Sequence, residues 1–172
     1  CPMYYEYRDC ENYSKQNPAR PLIQCEYAHA MGNSMGGFMH YMDLIRKYPS
    51  YQGGFIWDMI DQAVRGKSKV TGNQIWMYGG DSGRYPASDH NFNCNGTVAP
   101  DRSFHPHAYE VQYGYQDYWV KNIDLEQGTL SVYNEKFFTG SDNIRMLLSV
   151  MVDGKQHCKQ SIDAVNLPQQ KT

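Results

Sequence analysis

The amino-acid sequence predicts an α/β fold followed by a stretch of β-structure. Residues 22–34 have the order of a buried strand, a turn and the start of a helix, and residues 38–48 carry apolar side chains at helical spacing. Beyond Trp119 the pattern changes to short strand-like runs. Because strands and helices alternate only in the first part, we expect two domains, residues 1–116 and residues 117–172.

Residues 22–34 predict the strand around which the first domain is organised. Leu22 and Ile23 are apolar and favour strands, while residues 32–34 supply turn and N-cap chemistry for a following helix. In β/α units the functional side chains lie at the carboxyl ends of the strands. Glu26 and His29 occupy that position, so they are the first candidates for a site.

A helix and a second strand are predicted next. The helix runs from Ser34 to about Tyr48, where Pro49 ends it. Its apolar side chains recur at three- and four-residue steps, as on a helix that packs against a sheet: Phe38, Tyr41, Met42, Ile45 and Tyr48. The strand covers residues 52–62, and its expected buried run is Phe55, Ile56, Trp57 and Ile60.

Loops and one further helix complete the predicted first domain. Residues 63–104 are rich in Gly, Asn, Asp and Ser, which is typical of long loops, and such loops are usually functional. Pro106 favours a helix N-terminus, so residues 105–118 predict a tyrosine-rich helix. We therefore interpret His105 and His107 as part of a helix start and not as a pair of metal ligands.

The second domain is predicted to consist of β-strands. Leu130 and Val132 lie in one strand-like run, and residues 144–152 form another. Asp153-Gly154 directly afterwards is a hairpin turn signal. These strands are the expected beginning of a β-sandwich that is incomplete at Thr172.

Composition and charge exclude two classes of partner. The chain has 16 Lys and Arg against 18 Asp and Glu, a net charge of −2, and no basic run, so nucleic acid is not an expected partner. The longest apolar runs are far shorter than the roughly 20 residues that cross a bilayer, so no membrane span is expected. An aromatic content of 14% suits a sugar-binding cleft, although packing explains most tyrosines.

The cysteines do not predict a metal site or a disulfide framework. Their number is odd and their positions are scattered, so we predict free and mostly packed thiols: Cys1, Cys10, Cys25, Cys94 and Cys158. Because the first residue is Cys1 and not methionine, we expect the chain to be a piece of a longer protein.

Several strings carry a resemblance to a known family. Cys25-Glu-Tyr-Ala-His-Ala-Met-Gly-Asn-Ser34, followed by Gln52-Gly-Gly-Phe-Ile-Trp-Asp58 and Asp61-Gln62, resembles the β-galactosidases of glycoside hydrolase family 2, from Cys1 to about Gly154. The resemblance implies that the first domain is the C-terminal part of a (β/α)8 TIM barrel. It also implies that the second domain contains the first strands of an immunoglobulin-like β-sandwich.

The resemblance assigns roles to single residues. Glu26 matches the catalytic nucleophile of the family, and the hydroxyl of Tyr4 is placed to donate a hydrogen bond that holds this carboxylate ionised. The residues that match sugar-binding positions are Met3, Tyr4, His29, Trp57 and Asn95. Without the family, each has a structural interpretation: a strand-end carboxylate paired with Lys or Arg for Glu26, and packed side chains for the others.

Sodium and magnesium are the metals that the resemblance implies. The main-chain oxygen of Phe92 and the side-chain oxygen of Asn95 match sodium ligands, and neutral oxygens suit a hard monovalent cation. The magnesium ligands and the acid/base glutamate of the family would lie upstream of Cys1. Asp58 and Asp61 are the other strand-end carboxylates, but the family places its acid/base on an earlier strand, so neither receives that role.

The expected function is hydrolysis of terminal β-D-galactosides with retention, through a galactosyl ester on Glu26 of the parent protein. The isolated chain is expected to be inactive, since a retaining glycosidase needs two carboxyl groups. Alternatives are a family 2 β-glucuronidase or β-mannosidase, or a non-catalytic carbohydrate-binding piece. Expected partners are a β-galactoside and the rest of the polypeptide. Oligomerisation of the parent stays open, as does its compartment, the bacterial cytoplasm or periplasm.

Overall fold

A computed structural model describes residues 1–83, 88, 90–141, 144–163 and 165–172. They form two compact units, Cys1–Tyr115 and Gln116–Thr172. The division lies next to the predicted domain boundary between residues 116 and 117. The first unit is a small α/β structure, and its described strands do not close into a barrel.

The first unit alternates helices and strands along the chain. In chain order, the described α-helices and strands are α1 (Tyr7–Lys15), β1 (Leu22–Tyr27), α2 (Phe38–Lys47), β2 (Tyr51–Ile56), β3 (Val64–Lys67), β4 (Gln74–Met77) and α3 (Pro106–Gly114). A 3₁₀-helix, Gly79–Ser82, lies between β4 and α3. Strands β1 and β2 are parallel, and α2 connects them. The predicted strand, helix and strand order is therefore confirmed for this part of the chain.

Parallel main-chain contacts extend this arrangement on both sides. Met3 forms a parallel bridge with Glu26, next to β1. Beyond β2, the main-chain N–H of Asp58 donates to the carbonyl of Asn95 across 2.7 Å, and Ile60 forms a parallel bridge with Val98. These contacts bring the ends of several successive segments side by side.

Helix α2 covers one face of β1 and β2. Phe38 is 1% exposed and lies in a cluster with Tyr27 and Met35, while Tyr51 is buried with Leu22 and Cys10. The predicted apolar stripe of α2 packs against these two clusters. Fully burying a side chain of this size contributes about 1.5–3 kcal/mol, so the stripe accounts for much of the attachment of α2.

A buried amide links the beginning of the chain to both strands. Gln24 of β1 is 0% exposed. Its oxygen accepts a hydrogen bond from the main-chain N–H of Tyr5, and its nitrogen donates to the hydroxyl of Tyr51, each across 2.7 Å. Both ends of the amide are therefore satisfied, as a buried polar group requires.

The beginning of α2 differs from the prediction. The helix starts at Phe38 and not at Ser34, and Gly37 precedes it with φ 80°. Ser34 does not cap the helix; its hydroxyl donates to the carbonyl of Met31 across 2.6 Å and also to that of His29. The left-handed backbone that only glycine adopts readily at residue 37 delays the helix start.

The second strand is shorter than predicted, and its predicted buried run is wrong: Ile56, Trp57 and Ile60 are half-buried, and Phe55 is exposed. Strand β2 ends at Ile56, and Phe55 is 68% exposed. Successive side chains of a strand point to opposite faces, and the neighbouring Ile56 packs against the buried cluster of Tyr27 and Phe38. Phe55 instead lines an apolar groove with Met59 and Phe104.

The segment predicted as long loops contains a hairpin. Strands β3 and β4 pair in antiparallel fashion, with Val64 opposite Met77. Of the loops expected over residues 63–104, residues 84–87 and Asp89 lie outside the described residues. The prediction of free cysteines is confirmed, but only Cys10 is buried, so the prediction that most are packed is wrong.

The second unit consists of two hairpins among its described residues. Strand β5 (Tyr118–Asp124) pairs with β6 (Thr129–Asn134), and β7 (Met146–Val152) pairs with β8 (Lys155–Ile162), both antiparallel. Asp153 and Gly154 form the predicted two-residue turn with φ 48° and 75°, as a type I′ hairpin requires. The two hairpins are separate two-stranded sheets, so a β-sandwich stays a prediction.

No helix in the described part of the chain has the length and apolar character needed to cross a membrane.

Gly96 packs directly against the main chain of Ile60 and Asp61, and substitution of Gly96 tests this backbone packing. A Cβ atom at Gly96 would lie 2.1 Å from the main-chain nitrogen of Asp61 and 2.4 Å from the carbonyl carbon of Ile60. We expect Gly96→Ala to destabilise this region by about 2 kcal/mol, the range typical of overpacking. Thermal unfolding of the full-length protein that contains this chain measures the loss.

Gly36→Ala is the matched control, because a Cβ atom there would meet only the carbonyl oxygen of Asn33, at 3.6 Å. Equal melting temperatures for the two variants would contradict the predicted close approach.

Candidate functional site

The site lies at the carboxyl end of β1, where the strand departs from regular alternation. Leu22, Gln24 and Tyr27 are buried, so the step between buried positions changes from two residues to three. The register with β2 shifts between Gln24 and Tyr27. Strict alternation would place Glu26 in the buried layer beside Gln24. The irregularity puts Tyr27 there and leaves Glu26 outside that layer, half-buried.

Tyr4 lies against Glu26 with both its main chain and its side chain. The main-chain N–H of Tyr4 donates to the carbonyl of Glu26 across 2.9 Å, and the phenol lies close enough to the Glu26 carboxylate to interact with its charge. Partial burial, followed by the negative charge of Glu26, raises the pKa of Tyr4 well above its ordinary value. The phenol therefore keeps its proton, as a hydrogen-bond donor to Glu26 must.

The described residues do not support a structural ion pair for Glu26. Within them, no Lys or Arg forms a salt bridge with its carboxylate, and the nearby phenol of Tyr4 is neutral. In the described residues, Glu26 is therefore a strand-end carboxylate that is not paired with Lys or Arg.

His29 lies between two aromatic rings. Its imidazole meets the ring of Tyr4 edge-on at a centroid distance of 5.8 Å and stacks on Phe92 at 5.7 Å. These contacts fix the plane of the imidazole ring. Its Nε2 is buried without a hydrogen-bond partner among the described residues.

Trp57 follows the end of β2 and is held by its main chain. Its N–H donates to the carbonyl of Tyr27 across 3.2 Å, and its carbonyl accepts from the N–H of Ala30 across 2.8 Å. Its peptide bond to Asp58 is cis. The indole Nε1 is buried and, in the described part of the chain, has no hydrogen-bond partner.

Asn95 is the most buried of the predicted site residues, at 0% exposed. Its side-chain nitrogen donates to the oxygen of Gln62 across 3.2 Å, whereas its side-chain oxygen is buried without a described partner. The main-chain oxygen of Phe92 accepts a hydrogen bond from the hydroxyl of Tyr78. A carbonyl oxygen has two lone pairs, so the Phe92 oxygen retains one acceptor position.

The structure connects all the predicted site residues, by direct contact or by short main-chain links. Met3 and Tyr4 contact Glu26, Tyr4 contacts His29, and His29 contacts Phe92. The main chains of Trp57 and Asn95 are hydrogen-bonded to Tyr27 and Asp58, respectively. Met3 is 55% exposed.

Three predicted site residues each carry a buried polar atom without a described partner: His29, Trp57 and Asn95. Buried polar groups are normally hydrogen-bonded, so such atoms indicate a place for a polar ligand. The oxygen of Asn95 and the carbonyl of Phe92 are neutral, which fits a monovalent cation. No three His, Cys, Asp or Glu side chains of the described residues come together as metal ligands.

The other strand-end carboxylates have structural contacts. Asp61 is 5% exposed and accepts from the main-chain N–H of Gly96 across 2.7 Å and from His105 Nε2 across 2.8 Å. Asp58 accepts from the N–H of Met59 and from the side chain of Gln62. Both carboxylates therefore have structural contacts within the segments that follow β2.

Sequence reasoning missed the partners of these carboxylates. His105 contacts Asp61 across a sequence separation of 44 residues, and no local pattern predicts such a contact. The helix predicted over residues 105–118 is present but shorter, since α3 covers Pro106–Gly114 and Tyr118 already begins a strand. Gln62 was noted only as part of a motif, and its contact with Asn95 spans 33 residues.

Comparison with known proteins adds independent information. The profile of the family described as "Glycosyl hydrolases family 2, TIM barrel domain" matches residues 2–120. A protein named beta-galactosidase from Halalkalibacterium halodurans is 40% identical over 169 residues, which covers 98% of this chain and 16% of that protein. Proteins of the same name from Yersinia pestis and Yersinia pseudotuberculosis are 44% identical over 139 residues, which covers 81% of this chain and 13% of each. The chain therefore spans a small part of the length of these relatives.

Proposed function

The chain belongs to family 2 of the glycosyl hydrolases, within its TIM barrel domain, and from this premise we propose that it is part of a retaining β-galactosidase with Glu26 as nucleophile. Relatives named beta-galactosidase, at 40% and 44% identity, support the substrate class. The observation that carries the proposal is the position of Glu26. Its carboxylate lies at a strand end beside the phenol of Tyr4, and the ring of Tyr4 in turn contacts His29, whose buried Nε2 has no described partner.

In the proposed first step, an oxygen of Glu26 attacks the anomeric carbon of the galactoside. The new carbon–oxygen bond forms as the glycosidic bond breaks, and the leaving oxygen takes a proton from an acid/base upstream of Cys1. The product is a galactosyl ester on Glu26. In the second step the same upstream group removes a proton from water, and the water oxygen displaces Glu26. Two inversions give retention of configuration.

Tyr4 prepares Glu26 for this reaction. A protonated phenol stabilises the attacking carboxylate as an anion and fixes its direction. As the ester forms, Glu26 loses its negative charge and the hydrogen bond from Tyr4 weakens. In the second step the charge returns as the carboxylate leaves, and the stronger hydrogen bond from Tyr4 then stabilises it.

The remaining site residues are proposed to bind the sugar. His29 Nε2 and Trp57 Nε1 are buried polar atoms that galactose hydroxyls would satisfy, and Met3 lines the same subsite. Asn95 and the main-chain oxygen of Phe92 would hold sodium, which supplies a positive charge for sugar hydroxyl oxygens when bound. The proposed magnesium ligands lie outside this chain.

The isolated chain is proposed to be inactive, since it lacks the second carboxyl group and the strands that would close the barrel. Residues 117–172 are proposed to begin an immunoglobulin-like β-sandwich of the parent. The proposed location of the parent is the cytoplasm or periplasm of a bacterium, with homo-oligomerisation left open.

Removing the carboxylate tests the role of Glu26. In the full-length protein, Glu26→Gly should lower kcat for an aryl β-galactoside by about 10⁴-fold or more, the loss expected for a group that forms the covalent bond. Added azide should restore turnover with a dinitrophenyl leaving group by entering the space of the missing carboxylate. The product should be the α-galactosyl azide, identified by NMR.

Glu126→Gly, in an exposed turn, is the control and should keep normal activity. Formation of the β-azide would show that Glu26 is the acid/base and not the nucleophile. Preference for an aryl glucuronide or mannoside by the wild-type protein would overturn the galactoside assignment.

Removing one hydroxyl tests the role of Tyr4. Tyr4→Phe should lower kcat by about a hundredfold in the full-length protein, the usual cost of one hydrogen-bond donor to a reacting group, while KM changes little. The exposed neighbour Tyr5 supplies the control variant, Tyr5→Phe, for which kcat should stay normal. A Tyr4→Phe variant with a normal kcat would contradict the proposed support of Glu26.

A further inference from the structure

Asn95 has a buried side-chain amide of which only one end has a partner in the described part of the chain. Its nitrogen donates to Gln62 Oε1 across 3.2 Å, and its oxygen has no partner. A buried acceptor without a partner destabilises the folded state, so a ligand that satisfies it is favoured. Rotation of the amide would exchange the two ends, so the structure around Asn95 must determine which atom is left unpaired.

Gln62 determines which atom of Asn95 is unpaired, because hydrogen bonds at both ends of the Gln62 amide fix the positions of its nitrogen and its oxygen. The nitrogen of Gln62 donates to Asp58 Oδ2 across 3.0 Å, and a carboxylate has only acceptor oxygens. At the other end, Gln62 Oε1 accepts from the main-chain N–H of Asn95 across 3.4 Å, and a main-chain N–H can only donate. Neither contact survives a rotation of the Gln62 amide.

The orientation of the Gln62 amide determines the orientation of the Asn95 amide. Since Gln62 Oε1 faces Asn95, the group of Asn95 beside it must be the NH₂ group. The oxygen of Asn95 is then the atom that faces away from Gln62. The order of contacts is therefore Asp58, Gln62, the nitrogen of Asn95 and finally its unpaired oxygen.

We propose that Gln62 is a positioning residue that turns the Asn95 amide so that its oxygen, and not its nitrogen, is offered to a ligand. A buried neutral oxygen attracts a cation or a hydroxyl donor. The opposite orientation would offer an NH₂ group, which repels a cation. The use of sodium as ligand rests on the proposed function; the orientation itself rests on the contacts of Asp58, Gln62 and Asn95.

Sodium binding by variants of Gln62 tests this proposal in the full-length protein. Gln62→Met keeps the charge of Asp58 but removes both contacts to Asn95, and it should weaken Na⁺ binding by about tenfold or more, as loss of a residue that orients a metal ligand does. Gln62→Glu keeps an acceptor for both N–H groups of Asn95 but sets a second carboxylate oxygen against Asp58 Oδ2, so its Na⁺ affinity should be higher than that of Gln62→Met without reaching the wild-type value. Sodium NMR linewidth titrations measure the affinity.

The rise in melting temperature on replacing choline chloride by NaCl gives a second readout, and the melting curves show whether each variant is folded. Gln127→Met, in the exposed turn of the second unit, is the control and should bind Na⁺ normally. Normal Na⁺ affinity of Gln62→Met, or equal weakening in Gln62→Met and Gln62→Glu, would overturn the positioning role. A wild-type protein that binds no Na⁺ would instead overturn the sodium assignment of the proposed function.

Discussion

The candidate site depends on the change of alternation in β1 between Gln24 and Tyr27. Gln24 is tied to the buried layer by its hydrogen bonds to Tyr5 and Tyr51, and Tyr27 is tied to the same layer by its packing against Phe38 and Tyr41. A carboxylate in that layer would need a buried partner, at a cost of several kcal/mol if none were present. The irregular step keeps Glu26 out of the layer and places it beside Tyr4.

The contacts around Glu26 come from segments that are far apart in the chain. Tyr4 precedes α1, His29 follows β1, and Phe92 and Asn95 lie in the segment before α3. Short main-chain links hold these segments together, and Gly96 allows one of them to pass close to Asp61. Precise placement of the site therefore depends on backbone packing as much as on the site residues themselves.

Local patterns predicted the elements whose formation depends on nearby residues. The apolar stripe of α2 and the Asp153-Gly154 turn are short-range signals, and both are confirmed. Helix α1 was not predicted, and the β3–β4 hairpin was interpreted as loop because its segment is rich in turn-forming residues. Exposure of Phe55 was missed because an apolar run does not show which face of a strand is covered.

The candidate site residues were predicted from the resemblance of their motifs to the family. The contacts that support these residues, such as the one between Gln62 and Asn95, were not predicted. Strand-end position alone indicated Glu26 and His29, whereas Asn95 and Phe92 lie in a segment without periodic pattern. The contact of Gln62 with Asn95 joins residues that are distant in sequence, and the orientation of an amide has no sequence signal at all.

Covalent trapping of the intermediate tests the central claim, that Glu26 is a nucleophile, most directly. A 2-deoxy-2-fluoro-galactosyl inactivator, which forms the ester but slows its hydrolysis, is incubated with the full-length protein, and the labelled peptide is identified by mass spectrometry. We predict a single fluorogalactosyl group on the peptide that contains Glu26. A label on any other carboxylate, or inactivation without a covalent label, would contradict the account.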